Sequence, residues 1–202
     1  ICFSEFYSAD GIVHSKDLQK KALTHDLSEM PLIIQIFGKN PESFAEAARI
    51  IEGYGISGID VNMGCPAKKV VRSGHGSGLM IDRETAFRCI EAMSKVVKIP
   101  VSVKTRLGWE DASLLTEFCL GLENAGANLI SVHGRTYKQG FSGSANLEPI
   151  YELKHHLQIP VIANGDIHSY DDGISKIRNN DIELDGFMIG RASFGNPWCF
   201  LP

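Results

Sequence analysis

The sequence predicts an α/β fold whose parallel strands close into a barrel. Candidate strands alternate with segments of helical periodicity along the chain, which indicates parallel pairing through helical crossovers. Polar or reactive side chains stand at or near the carboxyl ends of most strands: Gln35, Asn62, Lys104, Arg106, His133, Asn164 and Arg191. A barrel brings those ends to one mouth, whereas an open doubly wound sheet would gather only the few at its switch point. A (β/α)8 TIM barrel is therefore the expected architecture.

Seven strands are predicted as short runs rich in β-branched and aromatic residues. They cover Cys2–Phe6, Leu32–Phe37, Gly58–Asn62, Val101–Thr105, Leu129–His133, Val161–Asn164 and Gly186–Ile189. A closed barrel of this class has eight strands, and the chain opens at Ile1 inside a strand-like run. We therefore expect residues 1–202 to form one partial barrel domain, truncated before its first βα unit, with a further domain beyond Pro202.

Three segments between the strands have a clear helical period. In Pro41–Gly53 the apolar residues recur at positions i, i+3, i+4 and i+7, and Asn40 is the predicted N-cap. Similar stripes run through Arg83–Val97 and Asp111–Ala125, the second with Asp111 as its predicted N-cap. Weaker helical patterns cover Lys16–Leu27, Asn146–Leu157 and Tyr170–Arg178.

The composition limits the classes of function and the compartment. The chain has 20 Lys and Arg against 24 Asp and Glu, so any contact with a nucleic acid must come from a local patch. Its five cysteines form no Cys-x-x-Cys pair, so neither a metal site nor a disulfide framework is predicted. No apolar run approaches the roughly 20 residues of a membrane span, and no signal peptide is evident. We expect a cytoplasmic protein without a membrane partner.

The segment Asn62-Met63-Gly64-Cys65-Pro66 presents a thiol from a constrained turn. Gly64 permits a tight turn, and Pro66 biases Cys65 away from helical geometry, so the thiol stands just past a strand end. Loop residues held in this way often carry function. A buried cysteine that packs as a small hydrophobe would fit the same sequence.

Two neighbouring strand ends carry cations and a histidine. Lys104 and Arg106 alternate along one strand and therefore share a face. If that face is the barrel interior, they would hold an anionic ring or substrate; ordinary surface charges are the alternative. His133 ends the next strand and is a candidate cofactor contact or acid–base group, or a structural histidine.

The last two strand ends have the features of a phosphate site. Asn164-Gly165-Asp166-Ile167 follows one strand, and Gly190-Arg191 follows the next. In barrels the loops after strands seven and eight often bind phosphate through backbone N–H groups, and a nearby arginine adds positive charge. The alternative is that these glycines only make turns.

A glycine-rich segment, residues 73–78, lacks the spacing and the preceding strand of a dinucleotide-binding loop, so we predict a mobile loop. Lys68, Lys69 and Arg72 lie just before it and form a basic patch. These three side chains would meet RNA phosphates, or they form a solvated surface with no partner.

Five motifs, taken together and in this order, resemble the tRNA-dihydrouridine synthase family, most closely its bacterial branch. They are Asn62-Met63-Gly64-Cys65-Pro66-Ala67-Lys68-Lys69-Val70, Val103-Lys104-Thr105-Arg106-Leu107-Gly108-Trp109, Val132-His133-Gly134-Arg135-Thr136, Ala163-Asn164-Gly165-Asp166-Ile167 and Ile189-Gly190-Arg191. Their order and spacing span nearly the whole chain. Two family features are not matched, namely a flavin-contacting Pro-Met-Ala-like first strand and a C-terminal helical domain that binds tRNA.

The resemblance implies an FMN-binding barrel that reduces the C5–C6 double bond of uridine in tRNA. A hydride would pass from N5 of FMN to C6 of uracil, Cys65 would donate a proton to C5, and NADPH would reduce the FMN again. The implied cofactor contacts are Gln35, Lys104 and His133 at the ring and Asn164, Gly165, Asp166, Gly190 and Arg191 on the phosphate side. The implied substrate contacts are Asn62 and Arg106 at the base, and Lys68, Lys69 and Arg72 at the RNA.

Two other functions fit the same sequence. An FMN-dependent dihydroorotate or dihydropyrimidine dehydrogenase would act on a free pyrimidine beside a similar cysteine loop. A catalytically idle RNA-binding barrel would keep the fold without turnover. The basic residues after Cys65 favour a polynucleotide over a free base.

Overall fold

Seven parallel strands form one sheet in the computed structural model of the chain, which describes residues 1–179 and 181–202. Those strands are β1 (Cys2–Ser8), β2 (Leu32–Phe37), β3 (Gly58–Asn62), β4 (Val101–Arg106), β5 (Leu129–His133), β6 (Val161–Asn164) and β9 (Gly186–Met188). A separate antiparallel pair, β7 (Arg178–Asn179) and β8 (Ile182–Glu183), lies between β6 and β9 in the chain. All seven predicted strands are therefore confirmed.

Helices fill the connections between the parallel strands. The α-helices are α1 (Ala9–His14), α2 (Lys16–Leu23), α3 (Pro41–Gly53), α4 (Lys68–Arg72), α5 (Arg83–Ser94), α6 (Leu115–Asn124), α7 (Glu148–Lys154) and α8 (Tyr170–Lys176). Short 3₁₀ helices cover Leu27–Glu29, Gly76–Met80, Arg191–Ser193 and Pro197–Phe200. The alternation of strand and helix gives parallel pairing throughout the sheet, as the sequence predicts.

The predicted starts of two helices have different outcomes. Asn40 caps α3 as expected, because its side-chain oxygen accepts a hydrogen bond from the Ser43 amide at 2.9 Å. The prediction that Asp111 caps α6 is wrong. Its carboxylate instead accepts from the amide and hydroxyl of Ser113, and α6 begins only at Leu115, without a side-chain cap. A local turn satisfies Asp111 before the helix starts.

One weaker helix prediction also needs correction. The segment Lys16–Leu27 is helical only to Leu23, and a separate 3₁₀ turn starts at Leu27. Its preceding helix, α1, was not predicted; the Ser8 hydroxyl caps it by accepting from the Gly11 amide at 3.3 Å. Other predicted helices are confirmed with ends shifted by a few residues, as fraying ends allow.

The two faces of the sheet differ sharply in polarity. On β3, Ile59 and Val61 are fully buried on the side that the helices cover, whereas Asp60 and Asn62 alternate with them and face the other side. In the register of the sheet Asp60 stands beside Ser102, and Asn62 stands beside Lys104. On these two strands the barrel-interior face therefore carries polar groups where branched apolar residues are usual, which is unexpected for a purely structural barrel core.

The sheet order follows the chain, β1-β2-β3-β4-β5-β6-β9. Within the described residues β1 pairs only with β2, and β9 pairs only with β6, so these two strands are its edges. Residues of all seven strands nevertheless line one cavity. A flat open sheet could not do this, so the sheet is curved as in an α/β barrel. That a further βα unit precedes β1 stays a prediction.

A membrane-spanning segment was not expected. Among the described helices none combines the length and the apolar character needed to cross a bilayer.

Candidate active site

A cavity of about 780 Å³ opens at the carboxyl ends of the strands. Every strand of the sheet contributes to its wall, with Ser4, Gln35, Asn62, Lys104, His133, Asn164 and Met188 coming from β1, β2, β3, β4, β5, β6 and β9 in turn. Its volume lies in the range of small-molecule and cofactor sites. The carboxyl ends of barrel strands are also where enzymes of this architecture build their active sites.

The cavity brings together most of the residues that the sequence singles out. Its lining includes Cys65, Gln35, Lys104, His133, Asn164, Gly165, Asp166, Gly190, Arg191, Asn62 and Arg106. The basic residues Lys68, Lys69 and Arg72 are not part of the lining; they are exposed on α4, which begins three residues after Cys65.

Cys65 lies half-buried in a turn that is held from three sides. The side-chain oxygen of Asn62 accepts from the backbone amides of Gly64 at 3.2 Å and Cys65 at 2.9 Å. The Nε of Arg106 donates to the Gly64 carbonyl at 2.7 Å, and the Ser77 amide donates to the Cys65 carbonyl at 3.2 Å. The thiol is therefore held at a defined place on the cavity wall.

The second half of the glycine-rich segment after α4, a segment predicted as a mobile loop, is buried. Residues Gly76–Leu79 are buried in a 3₁₀ turn that packs against the cysteine turn. Gly76 has a φ of +56°, and a Cβ there would come within 3.0 Å of the Cβ of Cys65. Only glycine allows so close an approach in this conformation, so the segment forms a back wall for the thiol.

A hydrogen-bonded chain of side chains runs from the cavity wall into the buried interior. The buried carboxylate of Asp60 accepts from the hydroxyl of Ser102 at 2.6 Å and from the Nε2 of Gln35 at 2.7 Å. The Oε1 of Gln35 in turn accepts from the Nδ2 of Asn62 at 2.8 Å. Because an ionised carboxylate only accepts, both amide groups have one orientation, and the Asn62 oxygen faces the Cys65 turn.

Lys104 gives the cavity a cation without a protein partner. Its ammonium makes no hydrogen bond or ion pair within residues 1–179 and 181–202, and it lines the cavity. Burial lowers the pKa of Lys104 to about 8, while the charge of Asp60 acts to raise it. The burial of Asp60 raises the pKa of that carboxyl to about 6. At neutral pH the ammonium is therefore charged and available to an anionic or electron-rich ligand.

Arg106 is used mainly as a structural bridge. Besides the Gly64 carbonyl, its guanidinium donates from Nη1 to the carbonyls of Thr136 at 3.1 Å and Gly140 at 2.8 Å. Burial lowers the pKa of Arg106, and the nearby charge of Arg135 adds to this effect. The side chain still touches the cavity, so a contact with substrate through its remaining N–H groups stays a prediction.

His133 stands between these cations as a neutral ring. Burial lowers the pKa of His133 to about 3, and the nearby charges of Lys104, Arg106 and Arg135 act in the same direction. The Nη1 of Arg135 lies 3.3 Å from its Nε2. Since arginine can only donate, that nitrogen accepts, and the ring carries its proton on Nδ1. His133 therefore offers the site a neutral group and not a charge.

Asp166 uses its carboxylate within the protein. Arg135 holds it in a two-pronged ion pair, with Nη1 to Oδ1 at 2.9 Å and Nη2 to Oδ2 at 2.6 Å. Asp166 has a φ of +50°, and the preceding Gly165 has no room for a Cβ, which would lie 2.7 Å from the His133 ring. The Asp166 side chain thus shapes the loop of the predicted phosphate site, and its negative charge would not itself attract a phosphate.

Acid should weaken the fold through this ion pair. The hydrogen bond from Arg135 is the main cause that lowers the pKa of Asp166 to about 2, so the pair stabilises the fold fully above pH 4 and less as the pH falls through 2. We expect Asp166→Asn to lose roughly 2 kcal/mol of unfolding free energy at pH 6 and far less at pH 2. Urea denaturation of wild type and variant at pH 6 and at pH 2 measures this difference in unfolding free energy.

The exposed Asp171 supplies a matched carboxylate control. Asp171→Asn should change the unfolding free energy little at either pH, because exposed charges contribute little. An Asp166→Asn deficit that is as large at pH 2 as at pH 6 would contradict the ion-pair explanation.

The mouth on the phosphate side combines open backbone with an exposed cation. Gly190 has open space where a side chain would start, and Arg191 is 60% exposed, with its Nη2 3.4 Å from the Asp166 carboxylate. The Asn164 side chain is fixed, because its Nδ2 donates to the Met188 carbonyl at 2.9 Å. A phosphate would meet accessible backbone and a guanidinium here.

Sequence reasoning did not single out three residues that line or support the candidate site, namely Asp60, Arg135 and Phe141. Asp60 had a usable signal, since it is a charge inside an apolar strand and shares a face with Asn62. Arg135 lies in a motif noted for its histidine. Phe141 had no signal, because only the fold brings its loop to the cavity.

Within residues 1–179 and 181–202, no group of three or more His, Cys, Asp or Glu side chains lies close enough together to hold a metal ion.

Comparison with known folds supports the barrel. Histamine dehydrogenase from a Rhizobium species superimposes with a TM-score of 0.70 at 12% identity, covering 98% of this chain and 40% of that one. A "putative lyase/mutase" from Burkholderia cenocepacia superimposes with a TM-score of 0.53 at 16% identity, over 79% of this chain and 60% of that one. At these identities the likeness concerns the fold alone.

Sequence relatives are much closer. "Probable tRNA-dihydrouridine synthase 1" of Synechocystis is 39% identical over 197 residues, which cover 97% of this chain and 55% of that protein. A "Probable tRNA-dihydrouridine synthase" of Rickettsia prowazekii is 42% identical over 91% of this chain and 55% of that protein. "tRNA-dihydrouridine synthase B" of Xanthomonas campestris is 42% identical over 84% of this chain and 51% of that protein. The chain thus spans about half the length of these relatives.

The profile of one protein family covers the chain almost completely. It is described as "Dihydrouridine synthase (Dus)" and matches residues 1–201. Together with relatives that are about 40% identical, and with a cysteine turn, a free lysine and a glycine-lined loop around one cavity, this match leads to one conclusion. The chain belongs to the dihydrouridine synthase family.

Proposed function

We propose that this chain is the catalytic barrel of an enzyme that reduces uridine in tRNA to dihydrouridine. One observation carries the proposal. In a chain of this family, the fixed Cys65 turn and the unpaired ammonium of Lys104 line the same cavity. The Cys65 thiol can donate a proton, and the Lys104 ammonium can stabilise an electron-rich ring.

FMN is the cofactor that the residues fit. The cavity size, the partly buried Lys104 and the open backbone near Gly190 are suited to a flat ring that accepts negative charge and to a phosphate. Gln35, Lys104 and His133 would hold the ring, and Asn164, Gly165, Gly190 and Arg191 the phosphate side. When bound, FMN would supply the hydride for C6 of uracil, and NADPH would restore it.

Cys65 would complete the reduction of the base. Addition of a hydride to C6 leaves an electron pair at C5, and the thiol would donate its proton there, so the C5–C6 double bond becomes single. The thiolate would then recover a proton from water. The hydrogen bonds that the turn makes with Asn62, Arg106 and Ser77 fix where that proton is delivered.

Substrate recognition would use both the cavity wall and the surface beside it. The target base must leave its stack to reach Cys65, and Asn62 and Arg106 are the wall groups that would contact it. Lys68, Lys69 and Arg72 are exposed on α4, beside the cysteine turn and outside the cavity. They would bind the phosphates of the RNA from which the base is turned out.

The seven-stranded sheet would be part of an eight-stranded barrel that a further βα unit completes. That all seven strands contribute to one cavity supports this, since in a closed barrel β1 and β9 would flank the eighth strand.

Dihydrouridine formation is the direct test. The purified protein should show a flavin absorption spectrum and, with NADPH and unmodified tRNA, should produce dihydrouridine that is measured by nuclease digestion and mass spectrometry. Free uridine and orotate are the comparison substrates. Failure to bind FMN would favour an idle barrel, and faster turnover of a free pyrimidine than of tRNA would favour a dehydrogenase of free bases.

A further inference from the structure

A buried carboxylate lies next to the cavity residues without a positive partner in contact. Asp60 is fully buried and does not line the cavity. Its hydrogen bonds come from neutral side chains, namely the hydroxyl of Ser102 at 2.6 Å and the Nε2 of Gln35 at 2.7 Å. No cation within residues 1–179 and 181–202 forms an ion pair with it. Burying a charge in this way costs free energy, so the carboxylate needs a physical reason to be there.

The register of the sheet places Asp60 close to Lys104. Asp60 stands beside Ser102, and Asn62 stands beside Lys104, so Asp60 and Lys104 are diagonal neighbours on the polar face of β3 and β4. Lys104 likewise has no ion-pair partner in the described part of the chain. Opposite charges at such a separation still attract each other where water is excluded, without touching.

Among the described residues, Asp60 is the negative charge that remains available to Lys104. The other charged and titratable groups around the ammonium are Cys65, Arg106, His133, Arg135, Asp166 and Arg191. Arg106 repels the ammonium, and burial keeps His133 neutral. The Asp166 carboxylate is already held in an ion pair by a neighbouring arginine. The charge of Lys104 therefore depends on Asp60.

The two charges stabilise each other. Burial lowers the pKa of Lys104 to about 8, and the charge of Asp60 opposes that fall. Burial raises the pKa of Asp60 to about 6, and its hydrogen bonds and the charge of Lys104 oppose that rise. Between pH 6 and pH 8 both groups are therefore charged. Without the carboxylate, burial and Arg106 would act on Lys104 unopposed, and its pKa would fall below 8.

We propose that Asp60 is a positioning residue of the candidate site, whose buried negative charge keeps the Lys104 ammonium protonated where it meets a ligand. This inference rests on the proposed function, because that ligand would be the flavin ring. Asp60 itself would not touch the ring, since it lies outside the cavity lining. A carboxylate in direct contact would occupy the N–H donors of Lys104, whereas one held out of contact leaves them free for the ligand.

The protonation of Lys104 can be measured directly in the purified chain. In an NMR titration of protein labelled at the lysine ε-carbons, the Lys104 signal is identified by its absence from Lys104→Met. We expect Asp60→Asn to lower the midpoint of that signal from near 8 by about one pH unit. The new amide has the size of the carboxylate, accepts from Gln35 and donates to Ser102, so the fold should be kept.

Asp171→Asn is the matched control, because it removes an exposed carboxylate outside the cavity lining and should leave the Lys104 midpoint unchanged. The coupling is mutual, so Lys104→Met should raise the midpoint of the Asp60 carboxyl above 6. This second titration decides the question if Asp60→Asn does not fold. An unchanged Lys104 midpoint in folded Asp60→Asn, or an unchanged Asp60 midpoint in Lys104→Met, would overturn the proposal.

A double-mutant cycle separates a positioning role from a structural one. At pH 8, Asp60→Asn should slow flavin reduction by NADPH about 5-fold, because fewer molecules carry a charged Lys104, and at pH 6 by less than about 2-fold. In the Lys104→Met background the same change should have no further effect. Equal losses in both backgrounds would make Asp60 structural and would overturn the proposal. A chain that binds no FMN would reject the proposed function, and the NMR midpoints would still decide this inference.

Discussion

Replacing Cys65 with alanine should lower the rate of uridine reduction in tRNA about 1,000-fold while leaving flavin reduction by NADPH close to wild type. General acid groups contribute on the order of 100- to 10,000-fold, and the C5 carbon cannot complete the reaction without a proton. The variant removes only the sulfur of a half-buried side chain, and the backbone contacts that hold the turn are retained. Stopped-flow absorbance of the flavin separates the two half-reactions.

Two further variants sharpen this experiment. Cys65→Ser keeps a hydroxyl at the same place but holds its proton more strongly, so it should recover little activity. Cys2→Ala changes an exposed cysteine outside the cavity lining and should have no effect. If Cys65→Ala reduces uridine at the wild-type rate, then Cys65 is not the proton donor and the cavity must use another acid.

Replacing Lys104 with methionine should weaken FMN binding, slow flavin reduction, or both, by about 100-fold in total. Methionine keeps the length of the side chain and removes the charge that would stabilise an electron-rich ring, an effect typically worth 100- to 1,000-fold. Since burial holds the pKa of Lys104 at about 8, wild-type flavin reduction should also fall as the pH rises through 8. This pH dependence should be absent in the variant.

The fold should tolerate the Lys104 variant. Burial of the Lys104 ammonium costs free energy, and Asp60 keeps its hydrogen bonds from Gln35 and Ser102 without it, so an apolar group of similar size should change stability little. Lys95→Met is a suitable control, because this exposed ammonium pairs with Glu91 away from the cavity. Wild-type values of both FMN affinity and reduction rate in Lys104→Met would contradict the role assigned to Lys104.

Most of the fold was predictable because it depends on local patterns. Strands such as β2 and β3 are apolar runs bounded by turn residues, and α3 combines a regular stripe with a cap at Asn40. The start of α6 was not predictable, because the Asp111 carboxylate accepts a hydrogen bond from Ser113 and so forms a local turn instead of capping the helix. The cap failed because two local structures of similar energy fit the same residues.

The candidate site was predictable as a set of residues but not as an arrangement. Strand-end positions identified Lys104 and His133, because the barrel brings such positions to one mouth. What each side chain does there depends on neighbours that are distant in the chain. Arg106 and Asp166 are the clearest cases. The sequence suggested that each would contact a ligand, but each makes its main contacts with protein groups about 30 residues away in the chain.

The sequence by itself therefore determined the strand–helix alternation, the barrel class and the thiol in its Gly64–Pro66 turn, since these follow from backbone preferences and hydrophobic periodicity. Only the tertiary structure decided that Asp60 orients the amides beside that thiol, that Lys104 keeps a free charge, and that Phe141 reaches the mouth. The physical reason is that hydrogen bonding, burial and pKa are set by the atoms that surround a group in space, and those atoms come from different strands.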